Sequence, residues 1–444
     1  MLAEELGRFV ATLRPGAVPA AVTQAAVLRV LDVIGAALAG VHRGSHRPVM
    51  ALLESRGAIP IWGERNSSSP REAALVNSFS AHSTYLEDGS RFTGGHPSSV
   101  VVPAALAVAQ VQRRSGADLV AAIVAGYEVF LRLGRAIYPS TVVRGFQSTA
   151  VLGAVSAAAA CASLLRLPPD RAGHAIGIGA TLGIGLKEAL KSSASQPIQV
   201  GRSCEAGIVA ALLAQGGLDG APAIIEKGFL PAFSQDGDAD GILAGLGSDF
   251  RIFETYLKRH AGCRGNHAPL DAALALAAEQ AISPGEIAQV DVFVDRVTLA
   301  AAIEPPANGE QAQFSIGFSV AVALLDGNAL IFQYTNERLA DPAVRSLMQR
   351  IRVLADPALD EGYPQRRAAR VDIQLHGGRR MSHAVDNARG EPEWPLTADE
   401  IRTKFLTLAG PRLGPRAAEL ADGVMALDRL DDAAGLAPLL GPAT

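Results

Sequence analysis

Two short stretches of this chain concentrate side chains that can move protons or hold anions. The first stretch, Asn77 to Pro103, is rich in Gly and Ser and carries two histidines, two carboxylates and an arginine: His82, Glu87, Asp88, Arg91 and His96. A loop with these side chains is suited to proton transfer, because imidazole and carboxylate groups can accept and return protons. A second interpretation stays open, in which the loop is solvated and Asp88 caps a helix or a turn.

The second stretch places five side chains that can carry positive charge within ten residues. They are Lys258, Arg259, His260, Arg264 and His267. Such a cluster suits a substrate with several carboxylates, since these side chains donate charge-assisted hydrogen bonds. The stretch also falls near an inferred domain boundary, where ligands commonly bind. The alternative is a charged surface turn at that boundary.

Motifs for several other chemistries are missing from the sequence. It has no G-x-x-x-x-G-K-[ST], no well-placed G-x-G-x-x-G, no G-x-S-x-G elbow and no H-E-x-x-H. It has no C-x-x-C, and no cysteine or histidine spacing in it suggests a zinc site. Acid/base chemistry by scattered polar residues remains.

The composition is that of a globular protein long enough for two domains. Of 444 residues, 49% are hydrophobic and 19% charged, and 40 basic against 44 acidic side chains give a net charge of −4. This balance offers no footprint for nucleic acid or an anionic membrane. Three cysteines point to a reducing compartment, and charges at Glu4, Glu5 and Arg8 argue against a secretory signal. We expect a cytoplasmic protein.

The first 260 or so residues have the apolar spacing of helices rich in small side chains, which allow close packing in a bundle. The predicted helices span 20–39, 103–112, 119–133, 150–165, 170–182 and 204–215. The stretch from Gly145 to Leu165 has no charge and reaches transmembrane length. Its Ala, Ser and Gly content favours a fully buried helix of a soluble protein.

The pattern changes after Ser283. Val290, Val292 and Val294 alternate with Asp291, Phe293 and Asp295, a period of two. Residues 370–376 and 381–385 flank a Gly377-Gly378 turn. These patterns predict an antiparallel sheet, with helices at 314–325 and 343–349 between its strands. Thr397 to Glu400 has the pattern of a capping box before a further helix. We therefore predict an α-helical bundle domain at 1–265 and 395–444, with a smaller α+β domain at 266–394.

The two chemistry-bearing stretches, in this order, resemble the MmgE/PrpD family. The resemblance is carried by L-E-D-G-S-R-F-T-G-G-H-P-S-S-V-V-V-P from Leu86, G-Y-E-V at Gly126, and K-R-H-A-G-C-R-G-N-H-A-P-L-D-A-A from Lys258. Weaker similarities begin at Leu31, Val200 and Phe314, so the likeness covers nearly the whole chain. It implies a homodimer of subunits with a helical domain and a smaller α+β lid. It also implies proton transfer beside a carboxylate without cofactor or metal.

The resemblance also implies roles for individual residues. His96 matches the histidine of the family's H-P-S motif, a candidate acid/base, and Asp88 and Glu87 match an acidic pair that would orient it or the substrate. Lys258 and His267 match basic residues that are expected to hold substrate carboxylates. Arg264 fits the same task, and Arg91 is assigned to substrate binding.

Three positions depart from the family pattern. Gln147 and Gln196 stand where a histidine and a lysine are usual, and Phe318 stands where tyrosine is common. We expect these three side chains to line the substrate site. Glutamine neither accepts a proton at neutral pH nor carries charge, so proton transfer and carboxylate binding should be weaker there.

These features lead to a ranked set of functions. The first is a cofactor-independent lyase, of the dehydratase or decarboxylase type, acting on a small di- or tricarboxylate-like substrate. The catalytic side chains would be His96, Asp88, Lys258 and His267. The alternatives are an isomerase or epimerase of a small carboxylate, and a catalytically degenerate homodimer that only binds carboxylates.

Overall fold

The computed structural model describes residues 1–54, 56–192, 195–363 and 365–442. The chain divides into two compact units, one of Met1–Tyr256 with Thr397–Thr444 and the other of Leu257–Leu396. Residues 257–265, expected in the helical domain, group with the second unit. The reason is backbone pairing: the N–H groups of Leu257 and Cys263 donate to the carbonyls of Gly390 and Gln313, at 3.0 and 2.8 Å.

Helices of ten or more residues in the described ranges are α1 (Leu2–Thr12), α2 (Ala20–His42), α3 (Pro70–His82), α4 (Ser98–Gln112), α5 (Gly116–Ile137), α6 (Ser148–Leu164), α7 (Pro169–Gly179), α8 (Gln196–Gln215), α9 (His267–Gln280), α10 (Ile316–Asp326), α11 (Ala398–Leu413) and α12 (Arg416–Met425). Shorter helices span Arg47–Met50, Ser140–Val143, Glu188–Ser192, Leu230–Phe233, Arg296–Ala301, Gly309–Ala312, Asn336–Ala340, Pro342–Met348 and Pro357–Asp360. The first unit holds α1–α8, α11 and α12 and is mainly helical.

Small side chains let the helices of the first unit pack closely. A Cβ added at Gly7 of α1 would lie 2.3 Å from the backbone nitrogen of Gly173 in α7. One at Gly207 of α8 would lie 2.4 Å from the Cβ of Ala157 in α6. The prediction of a buried helix at 145–165 is confirmed, because every residue of α6 except Ser163 is buried.

Helix α2 is long and apolar enough to cross a membrane by length and composition alone. In this protein 89% of its apolar window is buried. A buried core helix passes the same test, and the packing of α2 against α3 and α11 is that of a core helix.

Two predicted helix starts are wrong. Helix α4 begins at Ser98, so Pro103 lies inside it and not at its start. The earlier start is held by Asp88, whose Oδ1 accepts the Ser98 N–H at 3.0 Å. Helix α8 begins at Gln196, eight residues before the predicted Cys204, with Pro197 in its first turn, where proline is favoured.

The first unit also contains two pairs of two-residue strands, β1 (Ile59–Pro60) with β2 (Ser67–Ser68) and β3 (Gly89–Ser90) with β4 (Thr255–Tyr256). Both pairs are antiparallel. Strand β3 matters for function, because it lies within the first chemistry-bearing stretch, directly after Asp88.

The second unit is α+β, with a four-stranded sheet in the order β6-β5-β7-β8. Its strands are β5 (Ile287–Val294), β6 (Ile351–Ala355), β7 (Ala369–Leu375) and β8 (Arg380–Val385), and α9 packs on β7 and β8. The prediction of a purely antiparallel sheet is wrong, because β6 was missed and pairs with β5 in parallel. The parallel pairing is possible because a long crossover that includes α10 joins the two strands.

The chain after residue 396 groups with the first unit. The predicted capping box is present: the Thr397 N–H donates to Glu400 Oε2 at 2.8 Å, and the Glu400 N–H donates to Thr397 Oγ1 at 3.2 Å. Helix α11 then packs against α2.

Candidate active site

His96 lies in the turn between β3 and α4, and its backbone and ring are both held by hydrogen bonds. Its N–H donates to Thr149 Oγ1 at 3.1 Å, and its Nδ1 lies 2.6 Å from the carbonyl oxygen of Asp88. A carbonyl oxygen can only accept, so Nδ1 carries the hydrogen. In the neutral ring, Nε2 is therefore the basic nitrogen. The side chain is 18% exposed, which leaves it accessible to a small molecule.

The carboxylate of Asp88 is fully buried and does not face solvent as a loop cap would. Oδ1 accepts the Ser98 N–H at 3.0 Å, Oδ2 accepts the Tyr127 hydroxyl at 2.8 Å, and Arg29 Nε lies 3.9 Å from Oδ2. Burial raises the pKa of Asp88 to about 6, although Arg29 and the two hydrogen bonds oppose the shift. Asp88 is thus a positioning residue, whose side chain anchors the loop while its carbonyl orients His96.

Glu87 lies close to both histidines of the first chemistry-bearing stretch, His82 and His96. Its Oε1 is 2.6 Å from His82 Nδ1 and 3.8 Å from His96 Nδ1. The His82 and His96 rings have centroids 5.5 Å apart and meet edge to face. Glu87 and His82 are both buried, and among the described residues His82 Nε2 has no hydrogen-bond partner. The three side chains form one group, which we call the His82–Glu87–His96 cluster.

A buried ion pair supports the cluster from the C-terminal segment. Lys404 Nζ donates to Asp32 Oδ1 at 2.7 Å and to the Leu86 carbonyl at 2.9 Å. Burial raises the pKa of Asp32, and the negative charge of Glu87 adds to that shift. Lys404 thereby fixes the backbone immediately before Glu87.

Gln147 and Gln196 begin the two helices α6 and α8, and both are nearly buried. Gln147 Oε1 accepts the Ala150 N–H at 2.6 Å, which makes Gln147 the N-cap of α6. Gln196 Oε1 accepts the Tyr85 hydroxyl at 2.7 Å. The Tyr85 ring lies 5.3 Å from that of His82, so Gln196 is connected to the cluster through Tyr85.

Arg91 is half-buried beside the same loop. Its guanidinium lies 5.3 Å from the centre of the Phe92 ring, and that of Arg135 lies 4.2 Å from the same ring. Both cations are in the range of a cation–π contact. The assignment of Arg91 to substrate binding stays a prediction.

In the second unit, the basic stretch is organised around Asp271 of α9. Asp271 Oδ1 lies 2.9 Å from His260 Nε2 and 3.2 Å from Arg259, and Oδ2 accepts the Arg389 N–H at 2.7 Å. His267 begins α9, with its ring 5.7 Å from that of His260. The interpretation as a solvated turn does not fit, since the Lys258, His260 and His267 side chains are buried.

Arg264 and Phe318 have structural partners within the second unit. Arg264 Nε donates to Glu391, so part of its charge is already neutralised. Phe318 is fully buried, with its ring 5.5 Å from that of Tyr334. The Tyr334 hydroxyl in turn donates to Ser319 Oγ at 3.0 Å. Phe318 is therefore a core side chain in this structure, and its predicted contact with substrate is untested.

The structure brings His96, Asp88 and Glu87 together in the first unit. Lys258, Arg264 and His267 all lie in the second unit, where contacts join His260 to His267 and Arg264 to Glu391. The partners that the predicted site set lacked are Arg29, Tyr127, Thr149, Lys404 and the cluster member His82. One signal was available, since Tyr127 belongs to the G-Y-E-V segment. Within the described residues, no group of three His, Cys, Asp or Glu side chains is placed to hold a metal ion.

Comparison with known proteins agrees with this organisation. The family model of the MmgE/PrpD N-terminal domain matches residues 4–241, and that of the MmgE/PrpD C-terminal domain matches residues 260–428. The first model thus falls within the helical unit, and the second begins in the α+β unit and runs into α11 and α12. The chain belongs to the MmgE/PrpD family.

Characterised relatives share almost the full length of the chain. A cis-aconitate decarboxylase of Aspergillus terreus is 29% identical, over 98% of this chain and 95% of its own. A cis-aconitate decarboxylase-like protein of Aspergillus oryzae is 28% identical, over 98% and 96%. The human cis-aconitate decarboxylase is 26% identical, over 99% and 95%.

Proposed function

We propose that this protein is a lyase that removes CO2 or water from a small carboxylate by proton transfer at the carbon beside a carboxylate group. Family membership and relatives named as cis-aconitate decarboxylases support the lyase class. The observation that carries the proposal is the 2.6 Å contact between His96 Nδ1 and the Asp88 carbonyl. It fixes the tautomer so that Nε2, the nitrogen not tied to the backbone, exchanges the proton.

The two versions of the reaction use His96 in opposite directions. In a decarboxylation, loss of CO2 leaves an electron pair on carbon, and the protonated Nε2 delivers the proton that quenches it. In a dehydration, neutral Nε2 removes a proton from carbon, the neighbouring C–O bond breaks, and the imidazolium returns that proton to the leaving hydroxide, which departs as water. Both need one acid/base with a set tautomer, and the proposal includes no metal or organic cofactor.

The basic cluster of the second unit supplies the proposed carboxylate-binding groups. Lys258 and His267 are buried, and a buried cation gains more from a substrate carboxylate than an exposed one. Arg264 is already paired with Glu391, so we assign it a smaller share of the binding. Replacing Lys258 by Ala should raise KM for carboxylate substrates more than it lowers kcat.

The test of the proposed function is replacement of His96. H96A and H96Q should lower turnover of small di- and tricarboxylates, cis-aconitate and citrate first, by about 10²- to 10⁴-fold, the usual worth of one acid/base. The matched control is H174A, because His174 is similarly accessible and lies outside the cluster. Turnover that survives in H96A, or that falls as much in H174A as in H96A, would remove His96 from the mechanism.

A carboxylate-binding protein without turnover is the second candidate, and one observation favours it. The Gln147 carbonyl oxygen is occupied by the Ala150 N–H, so this position offers no acid/base group. Reaction in D2O separates the candidates. A lyase forms an alkene or CO2, whereas an isomerase introduces deuterium without releasing CO2 or water. A binding protein leaves the substrate unchanged.

We further propose that two copies form a homodimer in the cytoplasm. Support for the dimer comes from apolar side chains left in contact with solvent: Leu182, Ile184 and Leu186 are 41%, 64% and 55% exposed. Light scattering coupled to size exclusion should give about twice the mass of one chain. Replacing Ile184 by Glu should shift it toward the monomer, since burying an unpaired charge is costly.

A further inference from the structure

Gln147 and Gln196 occupy equivalent places in the first unit. Each stands at the N-terminus of a long helix, α6 or α8, and only 5% and 6% of their surfaces are exposed. Each side-chain carbonyl oxygen is already bound, one to the Ala150 N–H and the other to the Tyr85 hydroxyl. What remains in both cases is the amide NH2 group.

Neither NH2 group has a hydrogen-bond partner among the residues that the structure describes. For Gln147 the orientation of the amide is set by chemistry, because a backbone N–H can only be accepted by Oε1, which turns Nε2 away. For Gln196 the structure places Oε1 on the Tyr85 hydroxyl, at 2.7 Å, and Nε2 on the other side of the amide. An amide donor without a protein partner can be satisfied by water or by a ligand.

Both amides adjoin the His82–Glu87–His96 cluster. Gln147 lies two residues before Thr149, whose Oγ1 accepts the backbone N–H of His96 at 3.1 Å. Gln196 reaches the cluster through Tyr85, whose ring lies 5.3 Å from that of His82. A group bound to these donors would lie beside residues that contact His96 and His82, and we take it to belong to the molecule on which His96 acts.

The charges buried around the cluster do not favour an additional anion. Three carboxylates, Asp32, Glu87 and Asp88, are buried here. The two buried cations already have partners: Lys404 is paired with Asp32, and Arg29 donates to Thr255 and to backbone carbonyls besides lying near Asp88. A carboxylate placed against two neutral amides would lose its hydration and gain no opposite charge.

We propose that Gln147, Gln196 and Tyr85 form a subsite for an uncharged oxygen acceptor, such as the carbonyl of a primary amide, an ester or a ketone. The substrate is then a small carboxylate that carries this neutral group in place of a further carboxylate. This inference rests on the proposed function, because it assigns the substrate class of the same site. The proposed subsite accounts for both Gln147 and Gln196 by one difference in the substrate, a neutral group in place of a carboxylate.

The experiment compares binding of propane-1,2,3-tricarboxylate with binding of its monoamides, by isothermal titration calorimetry. We expect a monoamide to bind the unaltered protein about 10-fold or more tightly than the tricarboxylate, since buried polar groups reject a ligand that does not match them. Q196K should reverse that preference by a similar factor. Q196M removes the donor without adding charge, and should abolish the preference even if Q196K does not fold.

The matched control is Q215K, which makes the same change at the exposed end of the same helix and should leave the preference unaltered. The inference is overturned if the unaltered protein prefers the tricarboxylate, if no monoamide binds, or if Q215K shifts the preference as much as Q196K. Its failure is distinct from that of the proposed function. If the protein prefers the tricarboxylate and its turnover depends on His96, only the subsite is refuted. If it prefers the monoamide but shows no turnover, only the lyase is refuted.

Discussion

His82 Nδ1 lies 2.6 Å from Glu87 Oε1, and both side chains are buried. A buried imidazole and carboxylate compensate each other for lost hydration. Removing one of them takes this contact from the other, and breaking a buried pair costs about 3–5 kcal/mol. The pair is therefore a structural support for the loop that holds His96.

The first prediction is strong coupling between these two residues. H82L and E87Q should each lower the free energy of unfolding by about 3 kcal/mol. The double variant should lose less than the sum, with a coupling of about 1–3 kcal/mol, because the second change removes a group already without its partner. Urea denaturation measures all three. As a control, H174L, which removes a contact with the exposed Asp219 and the hydrogen bond from the Gly220 N–H, should cost only about 1 kcal/mol. Additive effects would contradict the coupling.

The second prediction concerns pH and Asp88. An aspartate has a pKa of about 3.9 in the unfolded chain, and burial raises the pKa of Asp88 to about 6 in the folded protein. The folded state thus holds this proton more tightly. The resulting stabilisation is complete below pH 4 and is lost as pH rises through 6, a change of about 3 kcal/mol for two pKa units.

The variant D88N isolates this contribution, because asparagine does not titrate. Between pH 4 and pH 7 the unaltered protein should lose stability relative to D88N. Its unfolding free energy minus that of D88N should therefore become smaller as the pH rises. Urea denaturation at pH 4.5, 5.5, 6.5 and 7.5 gives the profile. Parallel profiles for the two proteins would show that Asp88 titrates near its ordinary pKa.

Features that depend on nearby residues were predictable from the sequence. The buried helix α6 follows from an uncharged run of small residues, and the capping box at Thr397 follows from four consecutive residues. Asp88 and His96 are eight positions apart in one loop, so their proximity could be expected. The strands β7 and β8 follow from alternation on either side of a two-glycine turn.

Features that depend on packing between distant segments were not predictable. Arg29, Tyr127 and Lys404 reach the Glu87–Asp88 loop from α2, α5 and α11, and nothing in their local sequence indicates that target. Strand β6 was missed because none of its five residues is buried, so its composition gives no clear alternation. The role of Gln147 as a helix cap became visible only with the position of Ala150.

The third prediction tests how Asp88 is held. Y127F removes the hydroxyl that donates to Asp88 Oδ2 at 2.8 Å and leaves a buried carboxylate one hydrogen bond short. The cost should be about 2–3 kcal/mol above pH 6, where Asp88 is ionised, and smaller below pH 5. The control is Y334F, whose hydroxyl donates to the neutral Ser319 and whose loss should cost about 1 kcal/mol at either pH. Equal and pH-independent losses in both variants would contradict the assignment.

The fourth prediction concerns Phe318, where the resemblance leads us to expect tyrosine. The ring is fully buried and packs beside Tyr334. A hydroxyl added there must be buried, so F318Y should lower the free energy of unfolding by about 1–3 kcal/mol and leave turnover no higher. The control F253Y places the same hydroxyl on a half-exposed ring and should change stability by under about 0.5 kcal/mol. If F318Y instead keeps full stability and raises turnover tenfold, the hydroxyl reaches the reacting substrate, and Phe318 is a site residue that lost a catalytic group.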